Sequence, residues 1–120
     1  MKVGFFFLPV KIFLSFYFKT ASSMKIATFS TQNYDKQYLD EFNTGHEITY
    51  FEVPLNEQTV ALTNGFDAVC IFVNDQANEI VLKILAANGI KLIVLRCAGF
   101  NNVDIKTADQ LGIPVVRVPA

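Results

Sequence analysis

The chain has 120 residues, 52% of them apolar, and its 10 Lys and Arg are balanced by 11 Asp and Glu, a formal charge of −1. That length supports one domain with a real core. The charge balance argues against nucleic acid, which demands a basic patch, and there is no polybasic stretch for a membrane surface. Two cysteines, Cys70 and Cys97, stand too far apart for a CxxC or metal-ligand spacing and read as reduced core thiols. The single histidine, His46, falls in Asn43-Thr44-Gly45-His46-Glu47 and is expected on a surface turn.

Residues 1–23 form an apolar extension that contains half of the 12 Phe residues and no acid. Removing it takes away Lys2, Lys11 and Lys19 and leaves the remainder at −4. Phe5 to Phe18 is shorter than the roughly 20 residues a spanning helix needs, and Pro9 and Lys11 interrupt it. The basic start and Ala21-Ser22-Ser23 have the outline of a secretory signal. Against that, Met24-Lys25-Ile26-Ala27 reads as the natural start of a cytoplasmic α/β protein. Residues 1–23 are therefore expected to lie outside the fold, and residues 24–120 to form the domain.

From Met24 the pattern is regular. Lys25 to Phe29 reads as a short strand. Ser30-Thr31 can cap a helix from about Gln32 to Asn43, with Tyr34, Tyr38, Leu39 and Phe42 on one face. Glu47 to Val53 alternates as an edge strand does, and Pro54 stops it. Asn56 can cap a short helix through Leu62, and Asn64-Gly65 turns out of it. Asp67 to Val73 reads as a buried strand. Asn74 or Asp75 is expected to cap a helix from Ala77 to Ala87, with Ala77, Ile80, Val81, Ile84 and Leu85 inward. Asn88-Gly89 ends it.

The stretch Lys91 to Ala120 then gives strand, glycine turn, helix and strand. Leu92 to Leu95 is an unbroken apolar run, as in a parallel strand covered on both faces. Asp104 opens a helix to Leu111, Gly112 ends it, and Pro114 to Val118 is the last strand. Five strands alternating with helices predict parallel pairing and right-handed crossovers. The fold class is therefore α/β, a flavodoxin-like doubly wound parallel five-stranded sheet of order 2-1-3-4-5. No helix follows the last strand to cover its face, so the domain reads as incomplete.

Common site motifs are absent. There is no GxGxxG, no GxxxxGK[ST], no HExxH and no GxSxG. Phe29-Ser30-Thr31-Gln32 lacks the acidic pair of a receiver domain, although Asn74-Asp75 sits where a phosphoacceptor would. In open α/β sheets ligands bind beyond the carboxyl ends of strands, which directs attention to Ala98 and Gly99.

Arg96-Cys97-Ala98-Gly99-Phe100-Asn101-Asn102-Val103-Asp104, then Leu111-Gly112-Ile113-Pro114-Val115-Val116 and Val118-Pro119, resemble the D-2-hydroxyacid dehydrogenase family. The opening Met24-Lys25-Ile26-Ala27-Thr28-Phe29-Ser30-Thr31, followed by Tyr34-Asp35, is similar to the start of its D-lactate-forming members. The resemblance covers residues 24–120. It implies the N-terminal part of the substrate (catalytic) domain, with a separate Rossmann domain for NAD beyond it. Two successive backbone N–H groups, carried over to Ala98 and Gly99, would hold the substrate carboxylate, as backbone nests do. The partner is then a small 2-keto or 2-hydroxy acid such as pyruvate or D-lactate, and the full-length enzyme a homo-oligomer.

The family's catalytic His, Glu and Arg fall beyond Val118-Pro119, so no catalytic residue, cofactor-binding residue or metal ligand is assigned to this chain. Arg96 is expected to be structural, pairing with a neighbouring acid, and Asn101 and Asn102 to be turn and cap residues. The chain alone is expected to be inactive, as a truncated or split form. The competing expectations are a stand-alone flavodoxin-like binding module and a relative acting on another 2-hydroxy acid.

Overall fold

The computed structural model describes residues 5–7, 24–33, 36, 45–96 and 102–117. Six strands form one sheet: β1 (Phe5–Phe7), β2 (Lys25–Thr28), β3 (Glu47–Tyr50), β4 (Ala68–Ile71), β5 (Leu92–Leu95) and β6 (Val115–Arg117). Their order is β1-β6-β5-β4-β2-β3, and every pairing is parallel. Two α-helices, α1 (Glu79–Ala87) and α2 (Ile105–Gln110), and a 3-10 turn at Val60–Thr63 supply connections. The five strands from β2 onward follow the expected order, with β3 at one edge.

The sixth strand is a correction. Residues 1–23 are expected to stand outside the fold, yet Phe5–Phe7 pairs with Val115–Arg117 along the other edge. An edge strand presents a row of unpaired N–H and C=O groups, and a Phe-Phe-Phe run has the β propensity to satisfy them.

Alternation along the strands sorts side chains onto two faces. Ile93 and Leu95 join Val69, Ile71 and Val115 in a cluster with Val81, Leu82 and Leu85 of α1, Ala108 of α2, and Leu55 and Val60. Leu92 and Val94 join Ile26, Cys70 and Val116 in a second cluster on the opposite face. The Phe29 and Phe51 rings stack with centroids 5.1 Å apart beside the first cluster, and Phe66 meets Phe51 edge-on.

Local chemistry sets the element ends. Asn56 Oδ1 accepts from the Gln58 and Thr59 amides in a turn, and the helical element expected to follow it directly is instead the 3-10 turn at Val60–Thr63, whose N-cap is Thr59 with no side-chain cap bond. For α1 the cap is Asn78, whose side chain accepts from the Val81 amide at 2.9 Å, and not Asn74 or Asp75. The helix thus begins two residues later than expected. Its buried side is Val81, Leu82 and Leu85, while Ile80 is 53% exposed. Asp104 caps α2 as expected, accepting from the Thr107 amide and hydroxyl, and these bonds hold its carboxyl below the usual range. Gly112 then takes φ 72, a left-handed exit that suits glycine. The expected Gln32–Asn43 helix lies mostly outside the described residues. At its start Asn33 and Lys36 are helical, and the Lys36 amide donates to the Gln32 carbonyl at 3.3 Å.

His46 is a second correction. Gly45 makes the turn at φ 97, but the imidazole is only 8% exposed, folded in beside the start of β2. Its Nδ1 accepts from the Met24 amide at 3.1 Å, which requires that nitrogen unprotonated. Burial lowers the His46 pKa from its ordinary 6.5. The unfolded chain therefore takes up the proton first, so the His46 contribution is complete above about pH 6.5 and is lost as pH falls through the lower folded value. Urea midpoints measured from pH 8 to 5 should fall on the acid side, and His46→Gln should flatten that slope.

Candidate functional site

Because all strands run the same way, their carboxyl ends gather on one crest, where β2, β4 and β5 end close together. The chain leaves β2 through Ser30 at φ 53, the one described non-glycine residue with positive φ. Backbone bonds hold it there. The Ser30 amide donates to the Val53 carbonyl at 3.0 Å and the Thr31 amide to Phe51 at 3.1 Å. Strain of this kind persists only where the surroundings over-determine it.

Asp75 is the centre of the crest. It is fully buried, and its carboxylate accepts from the Ser30 hydroxyl at 2.7 Å and from the Leu55 and Phe72 amides at 2.6 Å each. One side chain therefore ties the exits of β2, β3 and β4. Asn102 works alongside it, donating from Nδ2 to the Phe72 carbonyl at 2.9 Å and the Asp75 carbonyl at 2.8 Å. The Ala77 amide donates back to the Asn102 carbonyl at 2.9 Å.

Arg96 leaves β5 buried, at 6% exposed. Its Nη2 donates to the Phe29 carbonyl, and its guanidinium lies 5.3 Å from the Phe72 ring centre. Its amide donates to the Ile71 carbonyl at 2.8 Å. These contacts suit the structural role expected of it, through a carbonyl and an aromatic face.

Ala98 and Gly99, the proposed substrate-binding pair, lie outside the described residues, as does Cys97. Arg96 and Asn102 stand at the two ends of the 97–101 segment, and both are anchored to the exit of β4. Beside them, an open cleft of about 290 Å³ is lined by Ser30, Gln32, Glu52, Pro54, Phe72 and Asn74. Among the described residues no group of His, Cys, Asp or Glu could hold a metal ion. Cys70 is a buried, reduced cysteine, as expected of a core thiol.

The sequence presents Ser30, Asp75 and Asn102 as turn or cap residues, and the bonds that tie the crest together are made at long range. The available signal is an acid two positions beyond the apolar run 68–73. Nothing in the sequence announces a left-handed serine.

The comparisons agree with this architecture. Residues 26–120 match the model of the D-isomer specific 2-hydroxyacid dehydrogenase catalytic domain. The chain belongs to that family. D-lactate dehydrogenase of Escherichia coli is 52% identical over 99 residues, which span 81% of this chain and 30% of that enzyme. A 2-hydroxyacid dehydrogenase homolog of Haemophilus influenzae gives the same identity and coverage. The apo structure of the E. coli enzyme superposes with a TM-score of 0.78 and covers 81% of this chain and 31% of that one. The D-lactate dehydrogenase of Lactobacillus jensenii with NAD+ gives 0.69 at 31% identity, covering 81% of this chain and 30% of that one. This member of the family thus spans about 30% of the length of the relatives it matches.

NAD does not fit the described crest. The amides after β2 that could cradle a pyrophosphate are already committed to Val53 and Phe51. No glycine-rich turn follows that strand. Among the described residues no helix is long and apolar enough to cross a membrane.

Removing the Asp75 carboxylate strands three donors in a buried setting, and bonds to a charged acceptor contribute about 1.5–3 kcal/mol each. Asp75→Ala should therefore lower unfolding stability by more than about 3 kcal/mol in urea titration. Ser30→Ala, which forfeits one of the three bonds, should cost clearly less.

Proposed function

We propose that this chain is the substrate-side half of an NAD-dependent D-lactate dehydrogenase. In this reading the Ala98 and Gly99 amides hold the carboxylate of pyruvate. The observation that supports it is that Arg96 and Asn102, the described residues on either side of 97–101, are both hydrogen-bonded to the exit of β4. An alanine and a glycine there let backbone donors approach an anion closely. The 52% identity to the E. coli D-lactate dehydrogenase supports lactate and pyruvate as the substrate pair.

The division of labour follows from the chemistry. Pyruvate must accept a hydride at its keto carbon and a proton on the resulting oxygen. NADH, when bound, would supply the hydride, and its protein cradle would belong to a separate domain. This chain binds and orients the acid. Its only histidine, His46, is buried with Nδ1 occupied by the Met24 amide, which makes it a poor proton donor to substrate. Alone, the chain is an inactive half-site. In the complete enzyme the cleft closes against the cofactor domain, in a cytoplasmic homo-oligomer.

The test is a chimera. Residues 24–120, joined to the remaining part of the E. coli D-lactate dehydrogenase, should convert pyruvate and NADH to D-lactate, while the 120-residue chain alone should leave NADH unconsumed and unbound. Saturable NADH binding by the chain alone would contradict the half-site. A folded, NADH-binding chimera that ignores pyruvate but reduces another 2-keto acid would contradict the substrate assignment.

A further inference from the structure

The chain contains two Asn-Gly steps, Asn64-Gly65 and Asn88-Gly89. Glycine has no Cβ to shield its amide nitrogen, so that nitrogen can attack the Cγ of a preceding asparagine. The N–Cγ bond forms, the Cγ–Nδ2 bond breaks, and the amide proton leaves with the side-chain nitrogen as ammonia. One water then opens the succinimide at either carbonyl, giving aspartate or isoaspartate. The reaction needs no oxidant and no cofactor. It needs freedom of the asparagine side chain and of the next amide, and the fold grants that freedom at one step and withholds it at the other.

Asn88 is held. Its Nδ2 donates to Thr63 Oγ1 at 3.0 Å, and its own amide donates to the Ile84 carbonyl at 2.9 Å. The Gly89 amide, which would be the attacking nitrogen, donates to the Ala86 carbonyl at 3.1 Å, and the Ile90 amide donates to the Leu85 carbonyl at 3.0 Å. Ring closure there must undo the end of α1. Asn64 and Gly65 are both exposed. Asn64 has φ −61 and ψ 128 and Gly65 has φ 89, the two central positions of a type II turn. One bond closes that turn, from the Phe66 amide to the Thr63 carbonyl at 3.1 Å. Among the described residues nothing bonds the Asn64 side chain or the Gly65 amide. A Cβ placed on Gly65 would meet nothing within 4 Å, so the attacking residue has room to turn.

We propose that Asn64 is a modification site, which deamidates through a succinimide in the folded chain while Asn88 is protected. The isoaspartyl product carries a free α-carboxylate, the acceptor chemistry of methyltransferases that act on isoaspartate. It also lengthens the backbone by one carbon between the 3-10 turn and β4. Three residues on from Asn64, the Asp67 amide donates to the Lys25 carbonyl at 2.8 Å, its carboxylate accepts from the Lys25 amide at 2.9 Å, and its carbonyl accepts from the Lys91 amide at 2.7 Å. The extra carbon therefore falls beside the residue that pins the starts of β2, β4 and β5. Those starts lie at the end of the sheet opposite the crest, and the proposal stands independently of the substrate assignment.

The test is ageing of the purified 120-residue chain at mildly alkaline pH, followed by peptide mapping and by enzymatic methyl transfer to isoaspartate. In buffer, the peptide holding Asn64 should convert at least about tenfold faster than the one holding Asn88, because a step that must first open its bonds reacts only from a minor open state. In urea, where both steps are released, the two rates should come together. Equal rates in the folded chain, or a faster rate at Asn88, would overturn the proposal. So would an Asn64 that stays intact over a time in which both steps convert in urea. A difference that survives in urea would also overturn it, because the preference would then come from the flanking residues and not from the fold.

Discussion

All six strands of the sheet run parallel, and this one constraint shapes both the site and the core. Parallel strands cannot be joined by tight hairpins, so every connection must cross a face and return. Each crossing brings apolar cover with it. Each also delivers its strand's carboxyl end to the same crest. Binding capacity and core coverage are therefore two results of one topology. The crest collects loops that have no ladder partners, and a ligand or a buried side chain must satisfy their backbone groups.

At this crest the buried side chain is Asp75. Its carboxylate meets donors from three separate loops, so the positions of Ser30, Leu55 and Phe72 are set against one another. Asn102 and Arg96 extend the same framework to the segment that carries Ala98 and Gly99. A backbone nest binds an anion well only when its donors are held before the ligand arrives. The energy that orders the site resides in the scaffold, which is consistent with a half-site that binds substrate while the reacting groups lie elsewhere.

The sequence made the layered fold legible because the signals were local and strong. Leu92–Leu95 could only be a strand covered on both sides, and Asp104, Gly112 and Asn56 announced helix and turn boundaries through their own capping chemistry. What it hid were interactions made at long range. Asp75 looks like a helix cap because a cap and a three-loop tie use the same carboxylate. His46 looks like a surface residue because a glycine turn precedes it, and its burial depends on Met24, 22 positions away. The strand at Phe5–Phe7 was obscured by composition, since an apolar leader and an edge strand share the same residues. Only the open edge of β6 distinguishes them.

The proposed role of the Ala98 and Gly99 amides is a carboxylate clamp. Amide-resolved NMR of the full chain titrated with pyruvate tests it directly. The account predicts saturable shifts of the Ala98 and Gly99 amides with pyruvate, and none with its methyl ester, whose carboxylate is masked. Shifts that instead centre on Ser30 and Asn74, or equal responses to acid and ester, would contradict it.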